Sequence, residues 1–183
     1  MSVEQTGICI IANNRITVDE RVVFEQTRNL NFTDFAKAAF KHLDLTYPKF
    51  YKMDRLCKLG FLAAEYLIAE NPDCRPDEST AIILSNSSGS LDSDLAHLKN
   101  AEQPSPAVFV YTLPNIVAGE IAIRHGMKGE TAFFICENEN DPTAQQYAAN
   151  LLINGMAHSC IVGWVDFTEE QYLARLCFLR LIS

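Results

Sequence analysis

Pro-Ala-Val-Phe-Val-Tyr-Thr-Leu-Pro-Asn-Ile-Val-Ala-Gly-Glu-Ile-Ala-Ile-Arg-His-Gly-Met-Lys-Gly, residues 106 to 129, is the stretch whose reading decides the fold. Pro114 fits the first turn of a helix, because proline there has no N–H to lose, and the apolar positions after it run to Ile123 before His125-Gly126 stop them. Ala132 to Cys136 is short and apolar, which predicts a strand. Asp141-Pro142 predicts an N-cap with proline behind it, opening a helix that lays Ala144, Tyr147, Ala148, Leu151 and Leu152 on one face and ends at Asn154-Gly155. Ser159 to Trp164 reads as the next strand. Helix, strand, helix, strand in this order describes an α/β layer.

Towards the N-terminus, Thr6 to Ala12 is an apolar run with β-branched residues that stops at the turn pair Asn13-Asn14, and predicts the first strand. Asp34 to His42 carries a helical stripe of Phe35, Ala36, Ala39 and Phe40, closed near Tyr47-Pro48. The strongest helix runs from Met53 to Ile68, with Gly60, Ala63 and Ala64 small where another element must approach closely. Ala81 to Leu84 is a second strand leading into the small polar loop Ser85 to Ser90. Towards the C-terminus, Asp166 to Gln171 reads as a polar turn and Ala174 to Ile182 as a last strand, paired with Ser159 to Trp164 in a hairpin. No repeat or linker interrupts the series, so residues 1–183 read as a single domain.

With 15 basic and 23 acidic side chains the formal charge is −8, and 48% of the residues are hydrophobic. That composition folds, and its scattered lysines argue against nucleic acid or an anionic membrane as partner. No apolar run approaches a bilayer span, and the polar start Met1 to Thr6 is not a signal sequence, so the expected location is the cytoplasm. Cys9, Cys57, Cys74, Cys136, Cys160 and Cys177 stand singly in mostly apolar surroundings without metal-ligand spacing, and read as reduced core thiols. No cofactor motif is present.

Residues 106 to 129 resemble the β-ketoacyl-acyl-carrier-protein synthases, in which a Pro-Asn-x-x-Ala-Gly helix leads through a Gly-x-x-Gly turn into the strand that ends at the cysteine nucleophile. Lys52-Met53-Asp54-Arg55 is similar to the family's Lys-Met-Asp helix start, and Ser87-Ser88-Gly89-Ser90 to its glycine-rich loop. The resemblance implies a thiolase-like fold, here its N-terminal half: a mixed sheet of about five strands covered by helices, one layer set of a five-layer sandwich.

Gly129, Gly155 and Gly163 align with family glycines, and on that register the nucleophile position is Asn138. An amide forms no thioester. Cys136 lies two residues earlier, a shift of roughly 6 to 7 Å along a strand, away from a helix N-terminus and beside Glu137 and Glu139, which would raise its pKa. By the resemblance, condensation also needs histidine or asparagine partners from a second half, to which no residue here corresponds. The implied function is a catalytically inactive synthase-like accessory or interaction subunit of fatty acid, polyketide or aryl-polyene biosynthesis, akin to chain length factors. The competing readings are an acyltransferase or thioesterase using Cys136, and a small protein whose fold no longer reports its chemistry.

The remaining candidates read as structural. His42 is expected to cap a helix, His97 and His125 to lie on the surface, and His158 in a turn. The Ser85 to Ser90 loop lacks the ending of a P-loop and reads as a strand-to-helix turn rather than an anion nest. Of the cluster Glu137, Glu139, Asp141, the aspartate reads as a cap and the glutamates as charge at a helix N-terminus rather than metal ligands. The resemblance places Ala132, Phe133, Phe134, Ile135 and Cys136 at a subunit interface, implying a homodimer or a heterodimer with a full-length ketosynthase, with an acyl carrier protein as a further partner.

Overall fold

A seven-stranded sheet organises the chain, in a computed structural model that describes residues 2–26, 30–99, 105–169 and 171–182. The chain begins with an antiparallel meander, β1 (Ser2–Ala12), β2 (Arg15–Val18) and β3 (Arg21–Glu25). Helices α1 (Phe32–His42) and α2 (Arg55–Glu70) follow, with a 3₁₀ turn at Pro48–Lys52 between them. Then come β4 (Ala81–Asn86), α3 (Leu91–Lys99), α4 (Pro106–Val110), α5 (Ile116–His125) and β5 (Thr131–Ile135). The chain closes with α6 (Thr143–Ile153), β6 (Ser159–Thr168) and β7 (Gln171–Ile182).

The strand order is β3-β2-β1-β7-β6-β4-β5. β4 lies between parallel β5 and β6, while β7 runs antiparallel to both β6 and β1. The sheet is mixed, as expected, but has seven strands rather than about five. The extra two come from residues 15–25, whose turns Asn13-Asn14 and Asp19-Glu20 hold positive φ at both positions, the geometry that a tight hairpin requires. The C-terminal hairpin forms, with strands longer than expected: Asp166 belongs to β6, not to a turn.

One face is covered by α2, flanked by α1 and α5. Asp54 caps α2, its carboxylate accepting the Cys57 N–H at 2.8 Å, and every residue from Leu56 to Leu67 except Lys58 is buried. Full burial of a large apolar side chain contributes about 1.5–3 kcal/mol, so this helix anchors the fold. Gly60 is where α5 crosses, since a Cβ there would meet Val117 Cγ2 at 2.5 Å. The other face holds α6, whose Ala144, Ala148, Leu151 and Leu152 pack on Ile83, Val162 and Leu179. β4, buried at every residue, lies between the two cores.

α5 begins at Ile116, two residues later than the proline predicted, and Pro114 sits in the turn before it; Gly126 closes the helix at φ 69°. Helices α3 and α4 had no counterpart in the sequence reading. No helix among the described residues is long and apolar enough to cross a membrane.

Candidate functional site

Asn138 and Cys136, the two residues that the resemblance singles out, lie just beyond β5, in the turn between that strand and α6. Cys136 ends the ladder, its N–H donating to Asn86 O at 2.8 Å, and only 9% of the residue is exposed. Burial raises its thiol pKa, and the charge of Asp141 and a hydrogen bond to it raise it further. Asp141 in turn is held below the ordinary carboxylate value by hydrogen bonds from Thr143, whose N–H it accepts at 2.9 Å. The positive end of α6 is thus taken by a carboxylate instead of acidifying a thiol. The expected direction of the Cys136 shift holds, but its charged cause is Asp141 and not Glu137 or Glu139.

Asn138 stands exposed in the turn, its Oδ1 accepting the Asn140 N–H at 3.0 Å and its carbonyl the Asp141 N–H at 3.2 Å. It opens on a shallow basin of about 360 Å³ lined by Glu137, Asn138, Glu139, Trp164, Asp166 and Tyr172, among others. The N-cap of α6 is Pro142 and not Asp141 as expected: Asp141 stands one residue earlier and accepts the Thr143 N–H, because the helix opens one residue later than the proline pattern predicts. Glu139, however, pairs with Arg175 of β7 at 3.1 Å rather than serving the helix N-terminus, because β7 passes beneath the turn. Asp166 accepts the Ser87 hydroxyl at 2.7 Å and joins the basin, a role hidden from the sequence because it depends on a strand pairing. No group of three or more ligating side chains among the described residues could hold a metal.

The motifs resembling the family's resolve into architecture. In Lys52-Met53-Asp54-Arg55, Asp54 caps α2 and accepts the Ser93 hydroxyl at 2.5 Å. Arg55 pairs with Asp92 and lies 5.0 Å above the Phe167 ring. Asn86 brackets the next loop by accepting the Gly89 N–H and donating to its carbonyl; the strand-to-helix turn forms as expected but is confined to Ser87 to Ser90, since Ser85 and Asn86 belong to β4. A second pocket, of about 280 Å³, lies between Met53, Asp54 and Arg55, α3 and α4, with Tyr111 in its wall. Beside it Lys49 reaches the buried Glu120 at 2.7 Å.

None of the four histidines lines the basin. His42 meets the Tyr66 hydroxyl at 3.1 Å, and His97 packs on Phe109. His158 is exposed, 3.8 Å from Asp77. His125 departs from expectation: it is largely buried, with Nε2 2.9 Å from Glu65 Oε1, because α5 packs against α2. All six cysteines are free and buried.

No protein-family model and no curated protein sequence matches the chain. Solved structures do. The ishigamide ketosynthase/chain length factor superposes with a TM-score of 0.72 at 18% identity, over 99% of this chain and 62% of that one. A ketosynthase in complex with its chain length factor from Xenorhabdus doucetiae gives 0.62 at 15% identity, over 100% of this chain and 80% of that one. A type II polyketide acyl-carrier protein in complex with its ketosynthase gives 0.65 at 16% identity, over 97% and 62%. The fold is therefore the thiolase-like fold of ketosynthases and chain length factors, and this chain spans 62% of the first of them.

Proposed function

We propose that the chain is a ketosynthase-like protein that does not condense acyl groups, and that it serves as an accessory or interaction subunit in acyl-carrier-dependent biosynthesis of fatty acids, polyketides or aryl polyenes. The observation that carries this reading is Asn138: the position that the resemblance gives to the nucleophile holds an exposed amide in a turn, and the nearest thiol, Cys136, is covered and paired with the Asp141 carboxylate before α6. The basin adds support, because a malonyl carboxylate or a carrier arm's phosphate would meet Glu137, Glu139 and Asp166 there. The pairing of ketosynthases with chain length factors and a carrier protein in similar structures supports a cytoplasmic protein that works beside such partners. It would join them through β5, which among the described residues ends the sheet with its outer edge unpaired.

Intact-mass measurement after incubation with acyl and malonyl thioesters tests the reading. No adduct and no turnover of malonyl carrier protein are expected, and Asn138→Cys should become alkylatable without restoring condensation. A stable acyl adduct on Cys136 would establish the acyltransferase or thioesterase reading instead.

A further inference from the structure

Lys49, Lys52, Arg55 and Lys58 put four basic side chains within ten residues, against the single carboxylate of Asp54, in a chain of charge −8. Three of the four are committed. Lys49 reaches Glu120 at 2.7 Å, Arg55 Nε donates to Asp92 Oδ2 at 2.9 Å, and Lys58 Nζ donates to the Met53 carbonyl at 2.5 Å. Lys52 is exposed and, among the described residues, has neither an ion pair nor a hydrogen bond. It borders the cavity of about 280 Å³ between the start of α2, α3 and α4. The carboxylates on that wall are satisfied within the protein: Asp54 accepts the Cys57 N–H and the Ser93 hydroxyl, and Asp92 holds Arg55. Among the described residues the cavity therefore presents one uncommitted charge, and it is positive. The rest of the wall is apolar, with Met53 buried, Val108 and Tyr111 half-buried, and Ala96 and Ala107 exposed at the rim. Tyr111 turns its hydroxyl to Glu120, at 3.4 Å, which leaves its ring for a ligand.

We propose that this cavity binds a small aromatic carboxylate, with the ring against Met53 and Tyr111 and the carboxylate on Lys52. Such a site goes beyond the accessory role and draws on neither Asn138 nor Cys136. Cavities for drug-sized ligands measure about 300–1,000 Å³, so 280 Å³ suits a body of roughly ten to twelve non-hydrogen atoms. Two bodies of that size compete, a flexible aliphatic chain and a flat ring. The chain loses entropy at every rotor it fixes, and a cavity rimmed by exposed alanines covers too little of it to offset that loss. The ring is rigid before it binds. A methionine sulfur and a tyrosine ring also attract another aromatic ring beyond the area that the contact buries. An exposed ion pair adds little affinity in water, so the ring supplies the binding and Lys52 selects the sign of the head group.

Titration of the isotopically labelled protein, followed by amide NMR, tests this with three probes: cinnamate, the uncharged cinnamyl alcohol and the aliphatic octanoate. Cinnamate should bind at a single site with a Kd of about a millimolar or below, and should shift the amides of Met53, Ala96, Ala107 and Tyr111. Cinnamyl alcohol and octanoate should bind several-fold more weakly. Two variants at exposed positions locate the site. Lys52→Glu should weaken cinnamate about fivefold or more, and Ala107→Phe, which fills the cavity, should abolish binding. No saturable shift, shifts confined to other residues, or an affinity that either variant leaves unchanged overturns the inference. Octanoate or the alcohol binding as tightly as cinnamate overturns the aromatic carboxylate as its ligand.

Discussion

At the residue scale, Cys136 shows how a neighbouring carboxylate offsets a helix dipole. It lies near the N-terminus of α6, where a helix dipole lowers a thiol pKa, yet Asp141 occupies that end and reverses the effect. Asp141→Asn tests the balance, because an asparagine Oδ1 can accept the same Thr143 N–H but carries no charge. Iodoacetamide labelling of Cys136, followed by peptide mass spectrometry at fixed pH, should be slow in the parent and several-fold faster in the variant, a unit of pKa corresponding to about tenfold in thiolate. Equal rates would mean that burial alone governs the thiol. That Cys136 closes an apolar strand was legible, and so was a helix start near Asp141, although the cap itself falls one residue later, at Pro142. The contacts of Asp141 with Cys136 and of Glu139 with Arg175 were not, since both depend on how a seven-residue turn folds back on itself.

Elements divide the same way. α2 and α6 were legible because they bury long stripes, β4 because it is apolar and short, and the first part of β6 because Ser159 to Trp164 is an apolar run. β2 and β3 were not, since Arg15–Val18 and Arg21–Glu25 are too short to establish an alternation and only the paired turns betray them. α3 hid for a different reason: its leucines form a stripe that this chain leaves exposed, and only Ser93 is buried. The register glycines earn a physical account from the structure. A Cβ at Gly163 of β6 would run into the Arg175 carbonyl on β7, and one at Gly129 would lie within 2.8 Å of Ser79 O. Gly163→Ala must therefore push two hydrogen-bonded strands apart at the centre of the sheet. It should cost about 3–5 kcal/mol or leave the protein insoluble, and a urea midpoint within error of the parent would contradict this geometry.

For the whole molecule, the joint between α2 and α5 decides how the fold responds to acid. Glu65 is nearly buried on α2, and burial by itself would raise its pKa. Hydrogen bonds and charge from His125 and Arg124 on α5 outweigh that and hold it below its ordinary value of 4.5. The folded state therefore binds this proton less readily than the unfolded chain does. Its contribution is complete above the unfolded pKa and is lost as pH falls through the folded one. Asp54 acts in the opposite sense: burial raises its pKa despite hydrogen bonds from Ser93 and Cys57, so acidification favours the folded state there. Acid unfolding should accordingly be dominated by the Glu65 joint. Glu65→Gln should cost about 1–3 kcal/mol at pH 7, where the carboxylate's charge-assisted bonds are lost. It should cost progressively less below pH 4.5, because the parent then loses the same interaction by protonation. Urea unfolding of both proteins at neutral and acidic pH reads the difference directly. A stability gap that stays constant as the pH falls would show that the two helices are held by packing at Gly60 and Val117 and not by this ion pair.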